Sequence, residues 1–262
     1  MDTGVRILSE QDITETSTTK QVQLGAVGAT EDGRQFRYVS YGGTTTIVPG
    51  VLLQAAVAAT NSASLAITAT TVATTPAQTT ASLTAGSSFL VLTNGATAVT
   101  QDEFAEGFLE VVQTSGSNEG PIKYRILGNT AAAASTGYIT VYLAVELRNA
   151  QVLVPGTDTA NIWASPYALP IITTTVNLPI GLTVNQVVNS ATVTNYGWVQ
   201  TRGPAIALQD ASSMVIGNTV GPSTTTSGYV GLAVAATKPA IGWSGVTSST
   251  GGASANIFLN LP

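Results

Sequence analysis

No stretch of this chain carries the apolar spacing of a long amphipathic helix. Short β-branched and aromatic runs are instead broken repeatedly by Gly, Pro, Asn and Ser. That rhythm restricts the chain to an all-β fold, with one or two sandwich or barrel modules. Composition points the same way, because Thr, Ala, Val, Gly and Ser dominate and only 9% of residues are charged. Branched side chains suit a pleated surface, and Thr can face water on it.

The segment EDGRQFRYVSYGGTTTIVPG reads as an Asp32-Gly33 turn, a strand over 34–41, a Gly42-Gly43 turn and a second strand over 44–48. Alternation places Phe36 and Tyr38 on one face and Arg37 and Val39 on the other. Asn94-Gly95 between apolar runs is the strongest short-range hairpin signal. QDEFAEGFLEVVQ mixes helical spacing with strand alternation, and Gly107 tips it toward a turn leading into a strand. Further strands are expected over 121–127, 137–147, 186–193, 197–200, 205–208, 229–235 and 255–261. Arg202-Gly203-Pro204 is expected to turn the chain back, in a hairpin bringing Arg202 toward Asp210.

Residues 1–30 hold mixed charges and no sustained apolar period, which reads as an extended arm ordered only on a partner. A β-module with Ala/Thr-rich loops follows over 31–155, and a second β-module over 156–262, divided near Val154-Pro155-Gly156. The run 51–73 is broken by Gln54, Asn61 and Ser62 and does not read as membrane-spanning. The N-terminus lacks the basic flank and apolar centre of a secretory signal.

The chain has no histidine and no cysteine. Side chains that titrate unperturbed near neutrality, thiolate nucleophiles and soft metal ligands are therefore missing. The expectation is no catalytic residue, no cofactor and no metal. Asp102, Glu103, Glu106 and Glu110 lack the alternation of a calcium loop and read as a solvated acidic edge. The Gly-rich pieces lack a phosphate-cradling context. A net charge of −5 opposes a broad nucleic-acid surface. So sparse a set of charges is unusual on a free monomer, which points to surface covered by a partner.

In YGWVQTRGPAIALQD, Tyr196 and Trp198 share one strand face, with Gly197 and Val199 on the other. Tyr, Trp and Arg are the residue types enriched at interface hot spots. A charge-poor contact gains most from an Arg whose planar fork finds acceptors. The candidate interface residues are Arg34, Phe36, Arg37, Tyr38, Trp198, Gln200, Arg202 and Pro204.

Three segments carry a resemblance: EDGRQFRYVSYGGTTTIVPGVLLQA, YGWVQTRGPAIAL and GNTVGPSTTTSGYVG. They resemble virion structural proteins of tailed bacteriophages, including phages of cyanobacteria. The matching positions are Gly33, Arg34, Phe36, Arg37 and Tyr38, then Trp198, Gln200, Thr201, Arg202, Gly203 and Pro204, then Gly217 and Pro222. The resemblance implies a capsid decoration (cement) or minor head protein. Such a protein is made in the host cytoplasm, sits on the capsid exterior, bridges major capsid protein subunits and forms a homotrimer. It has no small-molecule substrate, nucleic-acid or membrane partner. A tail- or fibre-associated adhesin that binds host glycans is the alternative, with Trp163, Tyr167 and Trp243 lining its pocket. A glycan-cleaving enzyme is a third.

Overall fold

The computed structural model describes residues 4–42, 45–56, 65–66, 86–112, 122–134, 137–147, 153–154, 157–173, 179–190, 192–233, 239–247 and 254–261. The chain runs β1 (Arg6–Ile7), α1 (Glu10–Thr14), β2 (Val27–Ala29), β3 (Gln35–Tyr41) and β4 (Leu52–Gln54). It continues through β5 (Leu65–Ala66), β6 (Phe89–Thr93), β7 (Phe108–Val112), β8 (Ile122–Asn129), β9 (Tyr138–Leu143) and β10 (Thr159–Trp163). Last come β11 (Ile171–Ile172), β12 (Pro179–Thr183), β13 (Asn195–Leu208), β14 (Thr219–Pro222), β15 (Val230–Leu232), β16 (Gly242–Ser244) and β17 (Ser254–Asn260). The all-β expectation holds. Among the described residues no helix is long and apolar enough to cross a membrane.

Two compact units share these elements, and they do not follow the linear division at residue 155. One joins Met1–Ala56 to Pro166–Pro262, and the other is the intervening Val57–Ser165. Strand pairing gives the reason. β4 hydrogen-bonds to β11 and β12, so the chain returns after residue 165 to the sheet it left at residue 56.

The first unit is an eleven-stranded sheet with the main path β1-β2-β3-β13-β17-β16-β14-β15. β12 bridges β13 and β4, and β11 extends from β4. Both faces of the β3–β13 pair are covered, which is why five of the seven β3 residues are buried. Phe36, Tyr38 and Trp198 pack with Leu8 and Ile13 on one face. Val39, Tyr41 and Val199 pack with Ile47, Val51 and Val187 on the other. A third cluster holds Ala205, Ala207, Ile257 and Leu259 together with Val220, Val230 and Ile241.

The expected N-terminal arm is part of this unit, with ordered contacts inside the same chain. Leu8 and Ile13 are buried, and Ser17 and Tyr196 exchange backbone hydrogen bonds. Helix α1 opens on a capping box. The Ser9 hydroxyl accepts from Asp12 N–H while the Asp12 carboxylate accepts from Ser9 N–H. The apolar anchors are too irregularly spaced to show a period, yet each fills a place over the Trp198–Tyr38 face.

The expected hairpin about Gly42-Gly43 forms no ladder over the described residues 45–48. Both edges of β3 are taken, by β2 and β13, and Ile47 makes a single bridge to Val187. Gly43 and Thr44 lie outside the described residues. Among the described residues of 186–193 no strand forms either.

The second unit is a six-stranded sheet in the order β5-β10-β7-β8-β9-β6 around one core of Leu90, Leu92, Leu109, Tyr124, Ile126, Val141 and Ile162. Strand β8 changes partner along its length, with its register against β9 shifting between Ile126 and Gly128. The Asn94-Gly95 signal is overridden, since β6 pairs with the distant β9 rather than the residues after it. Asn94 instead staples the loop, donating to the carbonyls of Thr97 and Ala133. The acidic segment is a turn leading into β7, as expected. Asp102 and Glu106 sit at positive φ within it.

Candidate binding groove

Strand β13 determines the site. Its fourteen residues run through Arg202-Gly203-Pro204 without reversing, so the expected hairpin there is absent. The chain kinks instead. Register against β3 slips between Gln200 and Arg202, leaving Thr201 as a bulge, and Gly203 adopts φ 93°. Glycine is required at this point twice over. A side chain would be strained at that φ, and its Cβ would lie 3.2 Å from the Arg34 backbone. The buried Gln200 amide spans the kink, donating to the carbonyls of Arg202 (3.1 Å) and Pro204 (2.7 Å).

β3 ends at Gln35, opposite Arg202, so residues 203–207 of β13 pair only with β17. Pro204 belongs on such a stretch, because it has no N–H to give to a second neighbour. A groove of about 720 Å3 opens beside it, between Glu10 and Arg34 at one side and Pro49-Gly50 at another. Its floor is the outward row of the β13–β17 pair. Pro204 faces Phe258 and Ile206 faces Asn256, while Ala205, Ala207 and Ile257 point into the core. Phe258 in turn faces Trp243 across β16. Ile206, Phe258 and Trp243 are 64%, 55% and 47% exposed, a contiguous apolar surface rather than scattered residues.

The groove's charged groups form one cluster. Arg34 donates to Asp32 through Nε at 2.6 Å and reaches Glu10 through Nη2. The Thr30 hydroxyl, and then Arg34, hold the Asp32 carboxyl below the usual carboxylate range. Such a carboxylate carries charge and accepts hydrogen bonds near neutral pH instead of shuttling protons.

Of the eight interface candidates, Phe36, Tyr38, Trp198 and Gln200 are buried within the chain itself. Arg37 donates to the Gly25 carbonyl at 3.0 Å and lies over the Tyr167 ring. Arg202 is exposed in the single chain, and its Nε donates to Asn260 Oδ1 at 3.1 Å. Asp210 is not its partner, since β13 runs straight on between them. Asp210 accepts from Ser223 Oγ and Ser212 N–H. Only Arg34, Gln200 and Pro204 of the eight line the groove. Trp243 was expected only as part of a glycan pocket, and Ile206 and Phe258 were not expected at all. Their signal was alternation in AIAL and ANIFLN, where the inward Ala residues are smaller than the outward Ile and Phe.

The aromatic pocket expected from Trp163, Tyr167 and Trp243 loses Tyr167, which is half-buried against Gly25 beneath Arg37. Trp163 belongs to the Val57–Ser165 unit and Trp243 to the other. The acidic residues are spent separately. Asp102 accepts from Asn129 N–H, Glu103 from Thr100 and Glu110 from Asn161. Among the described residues no group of three or more carboxylates is placed to hold a metal ion.

Fold and groove together give an all-β protein whose groove sets an apolar floor beside one cluster of charged groups. No protein family, curated protein or solved structure matches the chain.

Proposed function

We propose that this chain is a non-enzymatic structural protein of a tailed-phage particle, a decoration protein that cements neighbouring major capsid protein subunits. The observation that carries the reading is the apolar row Pro204–Phe258–Trp243 with Ile206 beside it, on the outer face of a sheet whose inner face is fully packed. Covering such side chains is worth about 1.5–3 kcal/mol each, against the entropy of association. One-sided pairing of residues 203–207 gives an extended apolar segment of the partner a place beside Pro204 and Ile206. Contacts of this size hold a shell when one unit touches several subunits at once, as a homotrimer would.

Antibody against the chain, applied to purified particles and viewed in negative stain, tests this reading. Label distributed over the head is expected, and label confined to the tail or its fibres contradicts it.

A further inference from the structure

The outer face of the six-stranded sheet carries a second set of outward-facing groups, exposed at Trp163 and Lys123 and half-buried between them, which the groove does not explain. Two rows cross β10, β7 and β8 in register. Trp163 faces Phe108, which faces Arg125; two residues along, Asn161 faces Glu110, which faces Lys123. The intervening residues Ile162, Leu109 and Tyr124 are in the core, so all six side chains of the two rows point outward. Trp163 is 37% exposed at the end of its strand. Its position is fixed by Gly107, where a Cβ would meet the Trp163 carbonyl at 2.0 Å. Lys123 Nζ sits 4.3 Å from the centre of the Phe108 ring and 5.9 Å from that of Trp163. Glu110 is turned to Asn161, its Oε2 accepting from Asn161 Nδ2 at 2.9 Å.

We infer that this face is a binding site for an anionic polysaccharide whose rings carry carboxylates, a polyuronate. Each part of such a ligand has a partner here. The C–H face of a pyranose lies flat on an indole, as apolar surfaces do on aromatic rings. Its carboxylate meets the planar fork of Arg125 and the ammonium of Lys123. Its hydroxyls donate to Glu110 and accept from Asn161. The charge balance selects this ligand over nucleic acid. Two cations beside a carboxylate match one charge per sugar residue, whereas a phosphate backbone calls for a basic stripe without Glu110.

Calorimetric titration of the full chain at low salt tests the assignment, with alginate oligosaccharides as the probe and neutral dextran and an oligo-dT as comparisons. Alginate binding is expected, with dextran at least about tenfold weaker, the scale of one charge-assisted contact. Trp163→Ala is expected to weaken alginate binding about tenfold, as loss of one stacking contact does. Lys123→Gln/Arg125→Gln, altering only side chains outside the core, is expected to remove the salt dependence. No alginate binding, unchanged binding in both variants, or tighter binding of the oligo-dT would each overturn the inference. Because the groove lies in the other unit, Ile206→Asp leaves alginate binding unchanged.

Discussion

Trp198 and Tyr38 lie directly opposite each other on β13 and β3, their ring centres 5.1 Å apart and the ring planes 65° from parallel. That edge-to-face pair is the floor on which the N-terminal segment rests, and Tyr38 Oη accepts from Gln21 N–H to hold it there. Trp198→Ala removes a buried ring from this contact and is expected to destabilise the unit by about 3–5 kcal/mol. Chemical denaturation followed by circular dichroism checks the figure.

The N-terminal segment is expected to be protected in the isolated chain, because its anchors are buried by the chain itself. Amide exchange should show slow sites at Leu8, Ser17 and Gly25, whose N–H groups bond to Ala29, Tyr196 and Tyr38 carbonyls. Leu8→Ala should speed exchange at those sites and cost about 2–5 kcal/mol.

Two titrations have opposite pH dependence. Hydrogen bonds from the Ser9 hydroxyl and N–H hold Asp12 below its usual range. Its contribution is full above about pH 3.9 and is lost as pH falls through the lower folded value. Burial pushes the Tyr41 phenol up, so the unfolded chain ionises first. That contribution is full below about pH 10 and is lost as pH rises beyond it. Tyr41→Phe should flatten the alkaline limb of a stability-against-pH curve. At neutral pH it should cost about 1 kcal/mol for the bond to the Trp198 carbonyl.

At the kink, neighbouring substitutions should differ sharply. Arg202→Ala removes an exposed side chain with one Asn260 contact, and its effect should stay within about 1 kcal/mol. Gly203→Ala meets both the positive φ and the Arg34 backbone, and should cost at least about 1–2 kcal/mol. Thermal melting of the two variants side by side checks the order.

How much of this was legible follows from where each signal came from. β8 and β17 were visible because one face is buried and the other is not, so apolar and polar residues alternate. β12 was invisible, since all five residues are buried and Pro179 and Gly181 read as breakers. Gly203-Pro204 read as a turn because local chemistry favours one. The register with β17 continues through it, and a bulge absorbs the misfit. Asn94-Gly95 failed for the same reason, a local preference outweighed by pairing with a distant strand. Of the site, Arg34, Gln200 and Pro204 could be named, but the apolar row is assembled from three strands that sequence spacing cannot align.

The central claim is that the Ile206–Phe258 face seats another protein chain. Co-sedimentation with particles stripped of this protein tests it most directly, comparing the unaltered chain with Ile206→Asp/Phe258→Asp. Both side chains point to solvent, so the double variant should fold and melt normally. The unaltered chain should saturate the particles, while the variant should bind about a hundredfold more weakly, as loss of two apolar anchors implies. Equal binding of a folded double variant would contradict the claim.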